Sequence, residues 1–72
     1  MRKSIHTDER AGFVKRLKKA RMEAGLTQTE VAEKLGASQS WVSKVELGEL
    51  RVEAIWLNRF AKLYGKSVSY FL

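Results

Sequence analysis

Between Leu26 and Gly48 the chain reads LTQTEVAEKLGASQSWVSKVELG. The chemistry this stretch can do is recognition, not bond making. Ser38-Gln39-Ser40 opens a short helical segment with a row of short polar side chains that core packing does not require. Hydroxyl and carboxamide groups donate and accept hydrogen bonds. At the front of a helix on a basic domain, they suit the edges of DNA base pairs.

Bond-making chemistry lacks its parts. There is one histidine, His6, one aspartate, Asp8, and no cysteine. No Gly-rich phosphate loop, His/Cys metal spacing or nucleophile–base–acid set is present. Ser40 and Ser43 have no base near them in sequence. The expectation is a protein that is not an enzyme, with no cofactor, no metal and no small-molecule ligand.

Charge supports a polyanionic partner. Fourteen Lys and Arg stand against eight Asp and Glu, a net charge of +6, with a pI near 10.0. Nucleic acid is the first partner such a balance favours and an anionic membrane surface the second, although solubility alone can account for a modest excess. Arg10, Lys15, Arg16, Lys18, Lys19 and Arg21 crowd one segment, with Asp8 and Glu9 at its start.

The elements that must position these residues are helical. A chain of 72 residues makes one domain, and at this size only about 60% of the extended-chain surface is buried on folding. Without cysteine, no disulfide supplements the core. No apolar run approaches the roughly 18 residues that span a bilayer, and no signal-peptide core follows Met1-Arg2-Lys3. The cytoplasm is the expected location.

Proline is absent, and the punctuation is Gly25, Gly36, Gly48 and Gly65, each after a segment with apolar residues three or four apart. The first helix is expected over Asp8 to Ala24, with Thr7 as N-cap and Phe13, Leu17, Ala20 and Ala24 on one face. Gly12 weakens its first turns by up to about 1 kcal/mol. Residues 1 to 6 are expected to form a loose arm.

Thr27-Gln28-Thr29-Glu30 spells a capping box that starts a second helix, with Val31, Ala32 and Leu35 inward. Ser38 caps a third, with Val42 and Val45 inward. A fourth spans Val52 to Tyr64, with Leu57, Phe60, Ala61 and Tyr64 on one stripe. Ser67 caps a last short turn in which Val68, Phe71 and Leu72 close the core. The expected class is all-α, with five helices.

Taken together, residues 13 to 72 resemble the helix-turn-helix domain of lambdoid phage repressors and Cro, a large bacterial and phage family. The residues that carry the resemblance are Leu17 and Arg21, then Gly25-Leu26-Thr27-Gln28, then Ala32 and Leu35-Gly36. Ser38-Gln39-Ser40, Val42-Ser43, Val45-Glu46 and Gly48 follow, and Leu57, Phe60-Ala61 and Tyr64-Gly65 complete the pattern.

The resemblance implies a homodimeric repressor that reads an inverted-repeat operator in double-stranded DNA. It places Gln39, Ser40 and Lys44 at base-reading positions. Gln39 can pair with adenine, and Lys44 suits the guanine acceptors. Ser43 can touch a base or a phosphate. The bland reading of these four is a solvated helix face.

Gln28 is implied as a phosphate contact at a helix N-terminus, with Thr27 and Ser38 beside it, although N-terminal polarity alone would also put a glutamine there. Arg51 sits where the family places basic phosphate contacts, but Glu49 and Leu50 depart from that pattern. Arg21 and Glu46 are implied as a partly buried structural ion pair. Trp41, next to Val42, should not face the core. It either presses on a thymine methyl or deoxyribose, or lies against the second helix.

Val52, Trp56 and Leu63 form a second apolar face on the fourth helix, which Ile55 and Tyr70 can join. It is either a dimer interface or a wide core face shared with the fifth helix and the arm. The same fold could also serve as an antitoxin that masks a toxin protein, or as an adaptor that no longer reads DNA. A membrane-surface role fits the first helix in part and the capped helices not at all.

Overall fold

The computed structural model describes residues 8–72. Thr7, the arm over residues 1–6 and His6 lie outside the described residues. Four α-helices follow one another: α1 (Asp8–Glu23), α2 (Gln28–Leu35), α3 (Gln39–Glu46) and α4 (Ala54–Tyr64). A 3-10 turn at Val68–Phe71 ends the order. The expected fifth helix is that single turn, too short to be an α-helix.

α1 is built mainly from strong helix formers, Lys, Arg, Ala and Met among them. It ends at Glu23, so Ala24 lies in the turn and is exposed, not on the core face as expected. The capping box at the start of α2 is present in both halves. The Glu30 amide donates to the Thr27 hydroxyl at 3.1 Å, and the Thr27 amide donates to the Glu30 carboxylate at 2.8 Å. Those bonds hold the Glu30 carboxyl below its ordinary pKa.

Gly36 ends α2 at φ +72°. That left-handed step turns the chain into α3 within a few residues, and a side chain there would be strained. Ser38 then caps α3 by accepting the Trp41 amide at 3.0 Å.

α4 begins at Ala54, two residues later than expected. Glu53 is extended and its side chain makes no cap bond, so Val52 and Glu53 belong to the loop. That loop is tied back to α1. The Arg10 guanidinium donates to the carbonyls of Gly48 at 2.8 Å and Leu50 at 3.3 Å.

The core takes Leu17 and Ala20 from α1, Val31 and Ala32 from α2, and Val42 and Val45 from α3. Leu57, Phe60, Ala61 and Tyr64 come from α4, and Phe71 from the last turn. Leu35, Phe13 and Val68 pack against this cluster. Leu72 does not close the core as expected. It is 81% exposed, beyond a turn whose single inward residue at that end is Phe71. Ser67 makes no cap bond to the turn; its hydroxyl pairs with that of Ser69 at 3.0 Å. α2 packs chiefly on α3, while α1 lies against α3, α4 and the C-terminal turn.

Candidate nucleic-acid interface

α3 is two-faced. Val42 and Val45 are fully buried, and Gln39, Ser40 and Lys44 are exposed. Ser43 is half-buried between these faces. The buried pair fixes the helix on the core, so the polar row is presented from a rigid support. Ser38 and Thr27 are exposed at the two helix starts. Each hydroxyl already accepts a backbone amide, which leaves its own proton to donate outward.

A chain of polar contacts links the polar row to α1. The Arg21 guanidinium donates to both carboxylate oxygens of Glu46, from Nε at 2.7 Å and from Nη2 at 3.1 Å. Its Nη1 donates to the Leu26 carbonyl at 2.9 Å. The two side chains are 11% and 3% exposed, so the expected partly buried ion pair is in place.

The hydrogen bond to Glu46 raises the Arg21 pKa further, against the lowering effect of burial. Burial also pushes the Tyr64 phenol up, and the Glu46 charge adds to the rise. The hydroxyl is buried without a hydrogen-bond partner. Tyr64 is a neutral wall beside the pair.

Two further bonds extend the chain outward. Gln28 Nε2 donates to Glu46 Oε1 at 3.1 Å, and Gln39 Nε2 donates to Gln28 Oε1 at 2.7 Å. Gln28 is half-buried and joins the base of α2 to the front of α3. The sequence held no sign of this link, because it is made by the crossing of two helices over separations of 18 and 11 residues.

Trp41 corrects an expectation. Its ring packs against the core, stacked on Phe60 at 5.8 Å with planes 3° apart and 5.0 Å from Trp56. It packs on α4 and is half-buried there. The helical position beside Val42 told only which way α3 turns the ring; Trp56 and Phe60 of α4 pack against it there. Trp41 is thus half-buried and held by α4, against the expectation that it would not face the core.

Arg51 is exposed, and so is Glu49. The loop offers a cation and an anion side by side. Arg10 of α1 is spent on carbonyls of this loop, which the crowding of basic residues in sequence concealed.

The apolar residues expected at an interface divide. Ile55 is 61% exposed. Val52, Leu63 and Tyr70 are half-buried against the core. Trp56 is half-buried too, with the Arg59 guanidinium 4.9 Å from its ring centre. Leu47 at 67% and Met22 at 62% are more exposed apolar residues that sequence reasoning did not single out.

Among the described residues, no group of His, Asp and Glu is placed to hold a metal ion. Nor, among the described residues, is any helix long and apolar enough to cross a membrane. Comparison with known proteins adds one finding. The family model of the helix-turn-helix domain matches residues 13–68. No curated protein and no solved structure matches the chain.

Proposed function

The chain belongs to the helix-turn-helix domain family, and from that premise we propose that it is a sequence-specific regulator that binds double-stranded DNA. α3 is the reading helix and lies in the major groove. Gln39, Ser40 and Lys44 face base edges, with Ser43 at their flank. Gln39 suits adenine, and Lys44 suits the O6 and N7 acceptors of guanine. Gln28, Thr27 and Ser38 stand at helix N-termini, where amide donors and the helix dipole favour phosphate. Arg51 supplies a further phosphate contact.

The observation that carries this reading is the exposed polar start of α3 on a helix whose opposite face is fully buried. A solvated helix face needs no support of that kind. Here Gln39, at the front of the polar row, is braced by the Gln28 amide and, behind it, by the Arg21–Glu46 ion pair.

The finer reading is a homodimeric repressor of the lambdoid and Cro type in the cytoplasm, acting without catalysis or cofactor. Ile55, with Val52, Trp56, Leu63 and Tyr70 around it, is the proposed dimer contact. Two-fold symmetry then selects an inverted repeat with half-sites roughly 34 Å apart.

Selection of duplexes from a random pool should return such a repeat. Gln39→Ala should relax the preference at one base pair per half-site. Equal affinity for selected and scrambled duplexes at physiological salt would overturn the proposal.

A further inference from the structure

The contacts behind Gln39 have a direction. An ionised carboxylate only accepts hydrogen bonds. Glu46 Oε1 receives Arg21 Nη2 and Gln28 Nε2, each at 3.1 Å. Gln28 must therefore turn its amide nitrogen inward, which leaves its oxygen toward Gln39. Gln39 must in turn offer its nitrogen, at 2.7 Å. The network alone dictates both amide orientations.

One consequence concerns the base. Gln39 has two amide hydrogens, and Gln28 takes one. One N–H and the carboxamide oxygen remain. Adenine presents N7 as acceptor and the N6 amine as donor, which matches that remainder. Guanine presents two acceptors, N7 and O6. It would call on both hydrogens and would meet the Gln39 oxygen with an oxygen of its own.

We infer that Glu46, whose side chain lies behind Gln28 and is 3% exposed, sets the adenine-over-guanine preference of Gln39 by fixing the direction of the amide relay through Gln28. This rests on the reading in which Gln39 meets a base edge. Glu46 is a positioning residue for specificity, and Arg21 holds it in register. A relay run backwards would leave Gln39 with both hydrogens outward, the pattern guanine accepts.

The test uses the whole chain and a duplex recovered by selection. The position read by Gln39 is the one that Gln39→Ala flattens. Duplexes with adenine or guanine there are then compared by fluorescence anisotropy at one salt concentration.

The unsubstituted protein should prefer adenine on the order of tenfold, the size of one bidentate amide contact. Glu46→Gln lets the relay run either way, and the ratio should fall by roughly threefold or more. Gln28→Met keeps the ion pair but cuts the relay, and should lower the ratio as well. It also decides the matter if Glu46→Gln does not melt cooperatively.

A merely structural Glu46 weakens both duplexes equally. An unchanged ratio in Gln28→Met, or in a folded Glu46→Gln, overturns the relay while leaving DNA reading intact. Unchanged preference at every position in Gln39→Ala overturns the reading and the relay together.

Discussion

α3 starts behind Ser38, whose hydroxyl takes the Trp41 amide at 3.0 Å. α4 starts behind Glu53, whose side chain caps nothing. The contrast continues along both helices. α3 is joined to α1 and α2 by Arg21, Glu46 and Gln28, groups with strict distance and angle demands. α4 is joined to its neighbours by apolar groups: Trp41 of α3 stacks on Phe60, and Phe71 of the last turn is buried in the same core. Apolar contact tolerates small slides, whereas a bidentate ion pair does not. The helix proposed to read bases has the directional contacts. The helix that supplies burial has the non-directional ones.

Substitutions can break this division or sharpen it. The largest effect should come from Phe60→Ala, which empties a site 1% exposed. It should cost about 3–5 kcal/mol in chemical or thermal melting while the base preference of the folded fraction is kept. Loss of preference in step with stability would show that the two regions are not separable.

Arg21→Ala should cost less, about 3 kcal/mol, by stranding the Glu46 carboxylate. It should nevertheless damage base discrimination more than Phe60→Ala does, as read by competition with scrambled duplex. Ser38→Ala should cost about 1 kcal/mol, against no measurable change for Glu53→Ala. That pair of melts tests the capped and uncapped starts directly.

The smallest effect is the pH dependence of the α2 cap. Glu30 has a folded pKa below its ordinary value of 4.5. Its contribution is present above that value and is lost as pH falls through the folded pKa. The melting difference between the unsubstituted chain and Glu30→Ala should therefore be steady near neutrality and vanish in acid. A difference that grew in acid would reverse the assignment.

Much of this architecture was legible in the residues. Thr27 and Ser38 before an apolar run and glycine after it marked α2 and α3 closely, because those signals are local. The start of α4 was not marked, because no capping residue stands there and Val52 looks helical by spacing. The Arg21–Glu46 pair was legible only through resemblance.

The extension through Gln28 to Gln39 was not legible at all. Nothing within a few residues of Gln28 reports which oxygen will lie beside it after the chain folds. Trp41 failed for a related reason. A helical wheel describes one helix, and the ring's surroundings are set by another. Leu72 was read inward because apolar type alone does not tell which end of a short turn meets the core.

The two tryptophans of the chain, Trp41 and Trp56, lie with ring centres 5.0 Å apart where α3 meets α4. The molecule thus carries a built-in optical gauge at one seam. The packed indoles should give a near-ultraviolet dichroism signal that depends on α3 being seated on α4, and Trp56→Phe separates it from the tyrosine signals. Loosening of that seam can be followed without a label, separately from loss of helix seen at shorter wavelength.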